Sequence, residues 1–242
     1  MISDAGRYLF GLTNSEGVSI DCHKVCEHVY LVTSDSTRNL SEMFLRPEEF
    51  RESPISGIRG NFFTLEQYVD KYVEKYGAFD YYDEWEAFNL TSRDVCEFLK
   101  KFPEKSLSSN ERLLIHTFRI ILLEEGKSRW AIIGMGLNDL DVYFRHEFAH
   151  SLYFINAAYR RAVNEKIKNL PKGYFKAFRK ALIDSGYSST PDLIYDEIQA
   201  YSIEDKYARM ENKECLNFKH PDMHIYCPKF KKVFDKYTCD VL

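Results

Sequence analysis

Val142-Tyr143-Phe144-Arg145-His146-Glu147-Phe148-Ala149-His150-Ser151-Leu152-Tyr153-Phe154 is the stretch from which the rest of the chain is read. Its apolar residues, Val142, Phe144, Phe148, Ala149, Leu152, Tyr153 and Phe154, recur at helical spacing on more than one side, which predicts a buried helix. Asn138 or Asp139 is placed to cap it, and Asp141 sets negative charge in the first turn, where the helix dipole favours it. His146 and His150 stand four residues apart on this helix and so lie one above the other on one face. Two buried imidazoles are costly unless something satisfies them, and one metal ion facing both would do so. Glu147 follows the first histidine directly, where a carboxylate can take a proton from a water that the metal has acidified.

Working outward, Trp130 to Ile133 reads as a short strand broken by Gly134 and Gly136. Ser108 or Ser109 caps a strongly apolar helix over Glu111 to Glu125, closed by Gly126. Thr91 or Ser92 caps another that ends before Pro103. Thr64 and Gln67 form a capping box ahead of Leu65, Tyr68, Val69, Tyr72, Val73 and Tyr76, and Gly77 stops that helix. The aromatic and acidic segment Phe79 to Trp85 reads first as a wedge in the core, with a cleft lining as the other reading. Near the N-terminus, Tyr8 to Leu12 and Val25 to Thr33 are expected strands, and Ser36 to Phe50 a helix limited by Pro47. Downstream, helices are expected over Ala158 to Leu170, Gly173 to Ile183, and Pro191 to about Arg209, the last with a Thr190-Pro191 start. From Glu211 onward the chain is polar and lysine-rich, reading as a peripheral segment with a short helix around Phe230 to Tyr237. With no repeat and no low-complexity linker, the economical fold is one α+β domain, mostly helical with a small β-sheet. Its expected parts are an N-terminal lobe (1–110), a metal-binding core (111–210) and the peripheral C-terminal segment (211–242).

Composition narrows the function classes. The chain has 242 residues, 45% of them hydrophobic, which is enough to fill a sizeable core. Thirty-three basic against 37 acidic residues give a net charge of -4, so nothing draws the protein to nucleic acid. No signal peptide is expected from the first residues, and no membrane span: the most apolar run, Ile115 to Leu123, is interrupted by His116, Thr117 and Arg119. A cytoplasmic protein is expected, with export through a machine that reads other signals left open. Six cysteines form no CxxC pair and are expected to be reduced. Cys22, Cys26 and His28 lack a fourth ligand nearby, and Cys215, Cys227 and Cys239 read as idle thiols.

A catalytic zinc normally has three protein ligands. Tyr153 and Asn156 stand where metzincins carry a glycine and their third histidine, so that class is excluded. What remains is a carboxylate on a later helix, and Asp196-Glu197-Ile198-Gln199-Ala200-Tyr201, with Glu197 47 residues beyond His150, fits best. Together the two segments resemble gluzincins, zinc peptidases whose third ligand is a glutamate on a helix after the motif helix. The resemblance implies Zn2+ held by His146, His150 and Glu197, with Glu147 as general base. It also implies a zincin-like fold in which Trp130 to Ile133 is the edge strand that pairs with extended substrate. The sequence departs from the thermolysin-like pattern at Tyr201, where an aspartate would orient a ligand histidine; Glu204 is the substitute on the same face. Tyr201, or else Tyr195, is the expected donor to the tetrahedral oxygen. The function expected is zinc-dependent hydrolysis of peptide bonds in a protein or peptide substrate. The alternative is a zincin-like metal-binding or interaction domain without catalysis, against which Glu147 counts, because a structural site needs no base. Should Glu197 not be the ligand, Asp196, Glu204, His220 and His224 are the other candidates.

Overall fold

The computed structural model describes residues 6–85, 87–137, 140–204, 218 and 220–238. The chain is α+β, and its contacts cluster into two compact units, Met1–Leu140 and Asp141–Leu242. The helix over Glu111 to Glu125 and the strand after it, grouped above with the metal motif, fall in the first unit.

The first unit is built on strands β1 (Arg7–Thr13), β2 (Ser19–Cys26), β3 (Val29–Ser34), β4 (Ala87–Thr91) and β5 (Ala131–Gly136), in the order β1-β2-β3-β5-β4. β3 and β5 pair in parallel, Val29 opposite Ala131, and every residue of both is buried. That explains the apolar runs Val29-Tyr30-Leu31-Val32 and Ala131-Ile132-Ile133 within them: strands enclosed within a sheet do not alternate. β5 also pairs antiparallel with β4. Both its hydrogen-bonding edges are therefore taken, and the expectation that it is the substrate-pairing edge strand is wrong. The edge on that side is β4.

Helices α1 (Thr37–Glu52), α2 (Leu65–Tyr76), α3 (Tyr81–Glu84), α4 (Ser92–Lys101) and α5 (Ser109–Glu125) complete the unit. Ser36, Thr64, Thr91 and Ser108 all cap through their side chains, the last three in full capping boxes, each satisfying orphan N–H groups of a first turn. α1 lies against β3, β4 and β5. A Cβ on Gly134 would stand 2.5 Å from two ring carbons of Phe44 on α1. Glycine therefore lets the helix approach the strand closely, and β5 runs through Gly134 and Gly136 where a break was expected. Pro47 likewise does not stop α1, which continues to Glu52; burial of Phe44, Leu45 and Phe50 around it offsets the missing hydrogen bond. The expected strand over Val25 to Thr33 is instead the hairpin of β2 and β3. It turns at Glu27-His28, where His28 takes φ 66° and its Nδ1 lies 2.5 Å from Glu125 Oε2. The turn is held by a side chain, with no glycine to announce it. α1 and α5 are joined by a bidentate Arg46–Glu111 ion pair, both side chains buried.

The second unit is helical: α6 (Leu140–Ile155), α7 (Ala157–Lys168), α8 (Lys172–Asp184), α9 (Pro191–Ile203) and α10 (Met223–Thr238). Asn156, at the metzincin histidine position, caps α7 by accepting from Ala158 N and Tyr159 N, each at 3.0 Å. The expected caps of α6, Asn138 and Asp139, lie outside the described residues, as do Cys215, Cys239 and residues 205–209 of the helix expected to reach Arg209. α10 is longer than the short helix expected, and it is no loose periphery. Phe230, Val233 and Phe234 are buried, Phe234 meets Phe148 at 6.0 Å between ring centroids, and the helix contacts α7 and α9. Among the described residues no helix is long and apolar enough to cross a membrane.

Candidate metal centre

α6 presents His146 and His150 one turn apart, and α9 presents Glu197 to them. The ligand atoms form a triangle. His146 Nε2 and His150 Nε2 are 3.0 Å apart, and Glu197 Oε2 lies 4.0 Å from the first and 3.8 Å from the second. A circle through three points so spaced has a radius of about 2.1 Å, the length of a Zn–N or Zn–O bond. Among the described residues this is the group of three whose donor atoms lie close enough together to hold a metal ion. The Cys22, Cys26 and His28 grouping does not form one.

The other nitrogen of each imidazole is held by its own carboxylate. His146 Nδ1 lies 2.5 Å from Glu204 Oε1, and His150 Nδ1 lies 2.9 Å from Asp196 Oδ1. Glu204 accepts from His146 Nδ1–H, which fixes that ring's orientation, while Asp196 stands as the ion-pair partner beside His150 Nδ1. The two Nε2 atoms, 3.0 Å apart, are within hydrogen-bond distance of each other, so a shared proton satisfies the pair, and a metal ion facing both would take that proton's place. The donor set, two imidazoles and one carboxylate, has the composition of the protein ligands in a catalytic zinc site.

Electrostatics agree with the geometry. Burial pushes both histidines toward the neutral form. For His146, the hydrogen bond and charge of Glu204 outweigh burial and raise the pKa. For His150, the charges of Asp196 and Glu197 outweigh it and hold the pKa up to about 10. Glu147 adds to the negative potential at both rings. Four carboxylates thus surround two buried imidazoles, and such a site attracts positive charge.

Glu204, the residue expected to replace the missing aspartate, does orient His146; it stands at the C-cap of α9, two turns beyond Glu197. Asp196 was expected only as an alternative ligand and instead holds His150. It is itself braced: Gln199 Nε2 donates to Asp196 Oδ1 at 3.0 Å, and Tyr159 OH donates to Gln199 Oε1 at 2.5 Å. The signal for Asp196 and Gln199 was their three-residue spacing on one helix, which puts them in reach of each other. Tyr159 and Gln199 are 40 residues apart, and no local pattern joins them. Tyr201 sets its ring 4.7 Å from that of His146, edge to face, and its hydroxyl lies 2.8 Å from that of Tyr187. Tyr195 instead packs beside Phe175. His220 contacts Tyr174 and Phe218 and does not join the converging ligands; His224 is exposed, with Nδ1 2.6 Å from Pro221 O.

Comparison with known proteins finds no matching family, no matching curated protein and no matching solved structure.

Proposed function

We propose that the protein is a zinc-dependent metallopeptidase of gluzincin type, hydrolysing peptide bonds in a protein or peptide substrate. The observation that carries this reading is the triangle of His146 Nε2, His150 Nε2 and Glu197 Oε2, with a separate carboxylate behind each histidine. When bound there, the ion supplies Lewis acidity: it lowers the pKa of a water toward about 7 and polarises the substrate carbonyl. Glu147, next to His146 on α6, accepts a proton from the attacking water and returns it to the leaving amine, so the carboxylate is restored in each cycle. Asp196 and Glu204 keep the imidazoles in the tautomer that leaves Nε2 available. Tyr201, beside His146, is assigned the donor to the developing oxyanion.

The substrate is read as polypeptide and not nucleic acid, on the chain's net charge of -4. A cytoplasmic setting is supported by Cys22, Cys26, Cys96 and Cys227, all free thiols. The test is elemental analysis of protein purified without chelator, together with cleavage of a peptide library by wild type and Glu147→Gln. Stoichiometric zinc in both proteins, with cleavage only by wild type, is expected. Absence of zinc from the wild type, or undiminished cleavage by the variant, overturns the assignment.

A further inference from the structure

The first unit contains a cavity of about 410 Å³ that the proposed hydrolysis does not use. Its walls include four aromatic rings, Tyr68, Tyr72, Tyr76 and Trp85, and two carboxylates, Glu49 and Asp80. The rings form a run, with Tyr68 and Tyr72 centroids 5.7 Å apart and those of Tyr72 and Tyr76 4.7 Å apart. Tyr68 and Tyr72 are buried, whereas Tyr76 is 51% and Trp85 46% exposed, so two of the four rings reach the surface. Glu49 is only 8% exposed, and its Oε2 has no hydrogen-bond partner. Ser53 and Tyr68 are its polar neighbours, yet burial still pushes the carboxyl up to about 7.

These features select the chemistry of an occupant. An anion is repelled by Glu49 and Asp80. A hard metal ion wants about six oxygens, which a wall of rings does not provide. A neutral apolar molecule would leave the charge of the Glu49 and Asp80 carboxylates in the wall uncompensated. A quaternary ammonium suits the rings but has no N–H for the carboxylate. A primary ammonium suits both. The wall already attracts one from the chain itself: Lys75 Nζ lies 4.9 Å from the Tyr76 ring centroid and donates to Pro54 O at 3.1 Å.

We propose that this cavity binds a primary alkylammonium group, of the kind that ends a lysine side chain, through cation–π contact with the tyrosines and Trp85 and charge-assisted attraction to the Glu49 and Asp80 carboxylates that line it. The site lies within the first unit and does not depend on the metal centre.

Trp85 reports on it directly, because the other tryptophan, Trp130, is fully buried. Full-length protein is titrated with Nα-acetyl-lysine methylamide, its norleucine counterpart and n-butylammonium while tryptophan emission is followed. The lysine probe is expected to bind saturably and at least about tenfold tighter than norleucine, which lacks the charge. Equal binding of n-butylammonium would identify free amines as ligands; tighter binding of the lysine probe would identify peptide side chains, and either result supports the ammonium site. Glu49→Gln, isosteric with the protonated acid, is expected to weaken the lysine probe about tenfold, and Lys75→Gln to tighten it. Trp85→Leu, on the exposed rim, serves as a second variant, with affinity lost and thermal stability kept; its binding is read by calorimetry. Equal affinity for the lysine and norleucine probes overturns the proposal, as does unchanged affinity in Glu49→Gln or Trp85→Leu.

Discussion

Replacing Glu204 by Gln keeps the size of the side chain and one carbonyl oxygen but removes the charge behind His146. The contact it alters is a 2.5 Å hydrogen bond between side chains only 12% and 8% exposed, so solvent does little to screen it. A hydrogen bond to a charged group contributes about 1.5–3 kcal/mol, and loss of such a partner behind a ligand histidine typically weakens metal binding by about 10–100-fold. The expected outcome is a zinc Kd raised by that factor, with the fold kept, because Glu204 lies at the end of α9 and holds no core position. Competition against a chromophoric chelator at fixed pH measures the Kd, and circular dichroism checks the helices. Asp196→Asn should act similarly through His150, and the double variant should lose roughly the product of the two factors, since each carboxylate serves a different ring. A Glu204→Gln protein binding zinc within twofold of wild type would refute the idea that Glu204 prepares His146 as a ligand.

Three further outcomes are expected. Glu147→Gln should retain zinc while lowering peptide cleavage by about 10²–10⁴-fold, the usual contribution of a general base, as read by steady-state kinetics with metal content measured on the same sample. Gly134→Ala should cost about 1–3 kcal/mol in denaturant unfolding, because its new methyl enters the Phe44 ring; Phe44→Leu in the same chain should recover part of the loss, and additive losses would disprove the close-approach reading. Stability should depend on pH through Glu49. Its folded pKa, raised by burial from 4.5 to about 7, favours the protonated form, so its contribution is complete below pH 4.5 and lost as pH rises through about 7. The shift corresponds to about 3 kcal/mol, and a comparison of urea unfolding across this window in wild type and Glu49→Gln should show the steeper fall with pH in the former.

Local chemistry was legible in the sequence, and long-range partnership was not. The capping pairs Thr64 with Gln67 and Ser108 with Glu111 are three residues apart, so their hydrogen bonds could be read directly. His146 and His150 share a helix face for the same reason, and Glu197 followed from the need for a third ligand. By contrast, the place of β5 inside the sheet depends on β3 and β4, whose pairing with it spans many residues. The role of Gly134 is invisible without Phe44, and the turn at Glu27-His28 depends on Glu125. α10 looked peripheral because its lysines dominate the composition, whereas Phe230, Val233 and Phe234 decide its position.

His150 and Glu197 are 47 positions apart, with α7 and α8 between them. An ion shared by these two residues would close that stretch into a ring, as a disulfide does, and a cross-link over about 47 residues lowers the entropy of the unfolded chain by an amount worth about 4 kcal/mol. On that arithmetic an ion bound there would be a fastener as well as a reagent. Metal supply would then set how long the protein survives in the cell as well as how fast it works, and a chelator would register as a fall in melting temperature with no substrate present.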